Sequence, residues 1–226
     1  MTTTNFQAVL FDLDGTLLNT SKDLSAAIDA TLEKHNITKK KSIDHELERF
    51  NSSEQLFFGA AGIADEHPEF NAMVDTFHDE YEKKIAKHTQ FYPGISDTLQ
   101  TLQDHHIPWG IITNKPSHLT KALLPLFPML SSADIILGGD ALPEHKPSAM
   151  PLRHACKQLN IKPISCVYVG DTKTDFLAAN RAGLTSITML YGFRDTKDNP
   201  NTWGETTCLP TGNDLHQWVQ QHITHK

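Results

Sequence analysis

Residues 8–16 read Ala8-Val9-Leu10-Phe11-Asp12-Leu13-Asp14-Gly15-Thr16, a short apolar run that ends in two carboxylates one residue apart and a glycine. An apolar run of this length with β-branched and aromatic members predicts a buried strand, and the Asp-Gly step ends it. The two acids therefore stand at a strand's carboxyl end. Alternate side chains of an extended chain point the same way, so Asp12 and Asp14 are expected to face one small site. Carboxylates this close repel one another unless a cation or a shared proton intervenes, which points to a divalent metal. Gly15 allows a tight turn and lets backbone N–H groups approach an anion such as a phosphate.

Downstream of Thr16 the pattern is helical. After the polar turn Asn19-Thr20-Ser21, Leu24, Ala27, Ile28, Thr31 and Leu32 recur at helical spacing, and Asn36 ends the segment. Residues 38–41 are a polar connector, and 43–58 read as helix with a break near Asn51-Ser52-Ser53. A longer helix follows Glu66-His67-Pro68, with Phe70, Met73, Val74, Phe77, Tyr81 and Ile85 in one stripe, acids early and lysines late. A helical insertion of this size between the first strand and the next predicts a separate cap domain over residues 18–88. Residues 1–17 and 89–226 then form the core domain.

From Pro93-Gly94 onward helices and strands alternate. Helices are expected at 95–105, 117–124, 148–160 and 174–182, and strands at 109–113, 135–137, 166–169 and 186–190. That alternation implies an α/β fold, a doubly wound parallel sheet covered on both faces, with ligands at the carboxyl ends of the strands. Residues 192–211 read as loop, and Leu215 to Ile223 as a closing helix. Trp109 and Phe127 are assigned to the core.

Composition bounds the function. The chain has 226 residues, 38% hydrophobic and 21% charged, with a formal net charge of −7 from dispersed acids. This fits a soluble globular protein and no nucleic-acid groove. Cys156, Cys166 and Cys208 form no CxxC pair, which argues against a disulfide framework or a cysteine zinc site. No stretch has the roughly 20 apolar residues of a membrane span, and the amino terminus lacks a signal-peptide pattern, so a cytoplasmic protein without membrane partners is expected. A monomer or weak dimer is expected. His105, His106, His222 and His225 are read as solvated side chains.

Three further segments place polar groups at or just beyond strand ends: WGIITNK with Thr113, Asn114 and Lys115; HKPSAMP with Lys146; and YVGDTKTD with Asp171 and Asp175. Taken in order with Asp12-Leu13-Asp14-Gly15-Thr16, they resemble the four motifs of the haloacid dehalogenase superfamily in its phosphatase branch. The resemblance implies a Rossmann-like core with an inserted cap and hydrolysis of a phosphate monoester. It casts Asp12 as nucleophile, forming an aspartyl-phosphate, and Asp14 as general acid and then base. Thr113 and Lys146 take part in catalysis, and phosphate is bound by Gly15, Thr113, Asn114 and Lys146. Mg²⁺ would be held by Asp12, the backbone carbonyl of Asp14, Asp171 and, directly or through water, Asp175. Asp14 argues against the carbon–halogen-cleaving branch, which lacks the second aspartate.

The layout is similar to bacterial phosphoglycolate phosphatases, and WGIITNKP and YGFRDTKDNPNTWGE also resemble a subgroup that removes the 6-phosphate of N-acetylmuramic acid. Both of those small phosphorylated metabolites carry a carboxylate, so a cap cation is expected, and Arg49 in LERFNSS is the candidate. A sugar phosphomutase would share all four motifs. A phospho-acceptor signalling or binding module also combines a metal with a phosphorylated aspartate, but without the DxD pair and a helical cap between the first two strands.

Overall fold

A computed structural model describes residues 6–38, 59, 61–63, 66–193 and 199–223. Arg49 and the helix expected at 43–58 lie outside the described residues.

The strand opening the chain is β1, Ala8–Phe11, buried along its whole length. Its alternation decides how the layers are built. Val9 and Phe11 face one hydrophobic cluster, with Ile95, Leu99 and Leu102 of α3 (Ile95–Asp104) and Leu215 and Val219 of α7 (Gly212–His222). Ala8 and Leu10 face another, with Leu152 and Ala155 of α5 (Met150–Gln158) and Ala178, Ala179 and Ala182 of α6 (Lys173–Ala182). A strand apolar on both sides in this way requires helices on both faces of the sheet.

β1 pairs in parallel with β4 (Trp109–Ile112) and with β6 (Cys166–Gly170). Beyond β4 lies β5 (Ile135–Leu137), and beyond β6 lie β7 (Thr185–Met189) and β8 (Thr207–Leu209), giving the order β5-β4-β1-β6-β7-β8. The chain runs outward from β1 on one side and returns to build the other, so β1 sits at the switch in strand order, where open α/β sheets bind ligands. The expected doubly wound parallel sheet is present, and one of its strands lies where loop was expected. Thr207–Leu209, inside the stretch expected to be loop, pairs in parallel with Ile187–Met189 as an edge strand. Three half-exposed residues among Gly, Pro, Asn and Asp have no periodicity to read. Their extended form comes from pairing with the exposed edge of β7.

Between β1 and the next sheet strand, the chain leaves through β2 (Leu18–Asn19) and returns through β3 (Gln90–Phe91), which pair antiparallel as a two-stranded ribbon. Beyond the ribbon stand α1 (Ser21–Lys34) and α2 (Phe70–Lys83), packed on one another. Ala27, Ile28 and Leu32 of α1 meet Phe70, Met73, Phe77 and Tyr81 of α2 in a cluster of their own, joined by Leu119 of α4 (Ser117–Leu123). Buried Asp23 in the first turn of α1 accepts hydrogen bonds from the N–H groups of His88 and Thr89 and from the Thr89 hydroxyl, at 2.6 to 3.0 Å. These bonds tie the start of α1 to the returning strand.

Glu80 of α2 lies 2.7 Å from both Lys34 of α1 and Lys83 of its own helix, with its side chain only 8% exposed. Hydrogen bonds from the two ammonium groups, Lys34 first, hold the carboxyl down at about 2 from an ordinary 4.5. A depressed carboxyl stabilises the fold above its unfolded pKa, and that contribution is lost as pH falls through the folded value. Glu80→Gln is therefore expected to lower the melting temperature at neutral pH. The difference from wild type should shrink as pH falls from about 4.5 towards 2, as thermal melts across that range would show.

Candidate active site

Asp12 follows the last residue of β1, and its N–H donates to Val169 O at 2.9 Å, which fixes the end of β1 against β6. Asp171 follows the last residue of β6. Asp175 lies in the first turn of α6. Parallel pairing of β1 and β6 thus sets the three carboxylates side by side, each with a ligand atom within 4.8 Å of the others, and all three are buried.

One lysine faces them. Lys146 Nζ stands 2.8 Å from Asp12 Oδ1 and 2.7 Å from Asp175 Oδ1, and it donates to Tyr168 Oη at 2.8 Å. The Tyr168 hydroxyl in turn donates to Ile112 O at 2.8 Å. Burial works against the Lys146 charge, but Asp12 and Asp175 outweigh it and hold the ammonium up at about 12. Burial raises Asp12 to about 6 despite Lys146, with Asp175 adding to the rise. Burial pushes Asp171 well above the usual carboxylate range, and the charges of Asp175 and Asp12 push it further. Burial also acts on Asp175, yet Lys146 and the Thr172 hydrogen bonds bring it below its ordinary value.

Three carboxylates against one ammonium leave the group two positive charges short, and the contact from Lys146 to buried Asp12 Oδ1 does not make that up. The donor set is all oxygen, which suits a hard divalent cation. The residues present therefore fit a divalent metal. Asp12 and Asp171 are the side chains with room to ligate it, since Asp171 takes a single donor on each oxygen. Asp175 is occupied on both oxygens: Oδ1 by Lys146, Oδ2 by Thr172 N at 3.0 Å and Thr172 Oγ1 at 2.6 Å in a capping box. Asp171 is oriented by Thr16 Oγ1 at 2.7 Å and Phe193 N at 2.5 Å.

The second aspartate of the first motif takes a different direction. Asp14's carboxylate lies outside the three-acid group and meets Lys115 Nζ, at 3.2 and 3.3 Å to its two oxygens. Thr113, just beyond β4, accepts the Lys115 N–H through its hydroxyl oxygen at 3.1 Å, which leaves the hydroxyl proton free to be donated. Asn114 donates Nδ2–H to Lys146 O at 2.9 Å and accepts Lys146 N–H at 3.1 Å, so its side chain holds the lysine loop. Gly15 has φ of +85°, and a Cβ there would stand 2.4 Å from Asp171 Oδ2. Every candidate core residue thus falls in one place: Asp12, Asp14, Gly15, Thr113, Asn114, Lys146, Asp171 and Asp175.

Residues 9–189 match the haloacid dehalogenase-like hydrolase family. The chain belongs to that family. Among haloacid dehalogenase-like proteins it is 36% identical over 208 residues to a phosphoglycolate phosphatase of Xylella fastidiosa, covering 90% of this chain and 88% of the relative. It is 30% identical over 201 residues to an N-acetylmuramic acid 6-phosphate phosphatase of Pseudomonas putida, covering 88% and 89%. The crystal structure of a predicted phosphoglycolate phosphatase from Haemophilus somnus superposes with a TM-score of 0.85 at 25% identity, over 96% of this chain and 99% of that one. Family members of the phosphatase kind generally use a divalent metal, in keeping with the acidic group here.

Four residues of this haloacid dehalogenase-like site were given no side-chain role from sequence. Thr16, Thr172 and Tyr168 each hold a charged member, and Lys115 pairs with Asp14. The Thr172-x-x-Asp175 spacing of a capping box was a readable signal for one of them. The others depend on which strands become neighbours. Gly15→Ala is expected to abolish most activity while the protein remains folded, because a methyl group would displace Asp171 and the φ of +85° disfavours any side chain. The measurement is turnover alongside a thermal melt, with a stability loss of about 1–3 kcal/mol expected.

Proposed function

We propose that the chain is a Mg²⁺-dependent phosphatase of small, carboxylate-bearing phosphate monoesters that works through an aspartyl-phosphate on Asp12. The observation that carries this reading is the packing of Asp12, Asp171 and Asp175 around Lys146 at the ends of two parallel strands, with Asp14 beside them but outside the group. A phosphate dianion approaching a carboxylate must have its charge offset. Lys146, donors from Thr113 and the backbone at Gly15 and Asn114, and a bound metal supply that offset. When bound, the metal neutralises charge on the phosphoryl oxygens and on Asp12.

In the proposed first half-reaction an Asp12 oxygen forms a bond to phosphorus while the ester oxygen leaves and takes a proton from Asp14. In the second, Asp14 removes a proton from water, whose oxygen displaces Asp12 from phosphorus. Lys146 lies against the nucleophile throughout, and Asp175 holds Lys146 in place. Asp12, the Asp14 backbone carbonyl and Asp171 would hold the metal, with Asp175 supporting the site through its bonds to Lys146 and Thr172. The relatives' names support phosphoglycolate as substrate and N-acetylmuramic acid 6-phosphate as the second reading. A phosphomutase would use the same aspartate pair, and transfer to sugar rather than steady phosphate release would identify it. Residues 18–88 are proposed as the cap, pivoting on the β2–β3 ribbon, with Arg49 reading the substrate carboxylate. A cytoplasmic location completes the reading; no helix among the described residues is long and apolar enough to cross a membrane.

Two variants and one quench experiment test the proposal. Asp12→Asn should fold normally and lose essentially all turnover, and acid quench of wild type during turnover should trap phosphate on Asp12; a tenth of wild-type kcat remaining would overturn covalent catalysis there. Asp171→Asn should demand much more Mg²⁺ for half-maximal activity, and an unchanged Mg²⁺ titration would remove Asp171 from the metal's ligands.

Arg49→Ala should lower kcat/KM by about tenfold to hundredfold on phosphoglycolate or N-acetylmuramic acid 6-phosphate. Little change is expected on p-nitrophenyl phosphate, which has no carboxylate. Equal losses on both kinds of substrate would count against carboxylate recognition by Arg49.

A further inference from the structure

Lys115 is a second buried lysine at the site, and the reaction outlined above gives it no task. Its side chain is 4% exposed, against 18% for Asp14. Burying an ammonium is costly unless it is paired, and the carboxylate it meets is that of Asp14. The two contacts are nearly equal, 3.2 and 3.3 Å, so the ammonium sits astride the carboxylate and sets the plane of the group rather than drawing on one oxygen. The backbone beneath is clamped: Lys115 N–H donates to Thr113 Oγ1, and Lys115 O accepts Gly139 N–H at 2.8 Å.

On its other side the ammonium lies 4.0 Å from the centroid of the Tyr81 ring. Tyr81 belongs to α2, beyond the β2–β3 ribbon, whereas Lys115 and Asp14 belong to the sheet side. The ring is fully buried, and its hydroxyl has no hydrogen-bond partner. What α2 presents to the lysine is the face of this ring. A cation held between a carboxylate and a ring face has its position set by both.

We infer that Lys115 is a positioning residue for Asp14, and that Tyr81 of α2 sets Lys115 in turn, so that the proton-transferring carboxylate is correctly aimed only when α2 is seated against the sheet side. This rests on the proposed role of Asp14. The chemistry is the proton transfer already described: as the Asp12–phosphorus bond forms and the ester bond breaks, Asp14's proton goes to the departing oxygen. A misaimed Asp14 harms departure of a strongly basic alkoxide most, and of p-nitrophenolate, which needs no proton, least.

The test is the single-turnover rate of phosphoenzyme formation on phosphate monoesters whose leaving groups run from p-nitrophenol to simple alcohols. It uses wild type, Lys115→Met, Lys115→Arg, Tyr81→Leu, Tyr81→Phe and the double variant Lys115→Met/Tyr81→Leu, with melts to confirm folding. Lys115→Met should lower the alkyl-to-aryl rate ratio by about tenfold, Tyr81→Leu by a few-fold in the same direction, and the double variant by no more than Lys115→Met alone. Lys115→Arg should recover part of the ratio, and Tyr81→Phe, which keeps the ring face, should retain it. Equal losses on alkyl and aryl esters would overturn the inference in favour of a purely structural lysine. A loss confined to KM for carboxylate-bearing substrates would overturn it in favour of substrate recognition. Additive effects in the double variant would overturn the link to α2. If wild type hydrolysed no phosphate monoester, the phosphatase reading itself would fall, an outcome distinct from wild-type turnover with an unmoved ratio.

Discussion

The constraint on which this structure turns is the burial of three carboxylates within one small volume. Each like charge raises the cost of ionising its neighbours, and removal from water raises it again. Asp12 and Asp171 are pushed upward for that reason, burial first. The arrangement is tolerable because Lys146 is held where it offsets part of the charge, and because the remaining imbalance matches what a divalent cation carries. A site under such stress is useful to a phosphatase: a dianionic phosphate meets fixed positive charge and oriented donors that need no reorganisation during reaction.

Much of the surrounding structure serves to keep those charges in place. Parallel pairing of β1 with β6 sets Asp12 beside Asp171. Thr16 reaches across 155 residues of chain to hold one Asp171 oxygen, and Phe193 N–H holds the other. Asp175 is locked by the Thr172 capping box and by Lys146, while Tyr168 Oη completes the lysine's set of acceptors. Asn114, whose side chain is spent on both backbone groups of Lys146, acts as a brace between two loops. The glycines are part of the same logic, since side chains at Gly15 or Gly192 would occupy the space of Asp171.

The helical insertion obeys different physics. Its α1–α2 pair has its own hydrophobic cluster and reaches the sheet side through a short ribbon and a few specific contacts. Asp23 ties α1 to the return strand, Leu119 of α4 shares its core, and Tyr81 covers Lys115.

The sequence by itself determined the parallel α/β layering, because a strand apolar on both faces followed by repeated helix–strand alternation admits few other arrangements. It also placed the acids, the threonine and the lysine at the strand ends, because Asp12, Asp14, Thr113, Lys146, Asp171 and Asp175 each follow a readable strand or open a readable helix. What it left open depended on long-range neighbours. The strand at Thr207–Leu209 exists because β7 offers an edge. The division of labour between the two lysines, Lys146 with Asp12 and Asp175, Lys115 with Asp14, comes from strand order and from the bend at Leu13 between the two aspartates. Strand periodicity puts Asp12 and Asp14 on one side. The strand ends at Phe11 and the chain bends at Leu13, so that periodicity does not carry to Asp14, whose carboxylate meets a different cation.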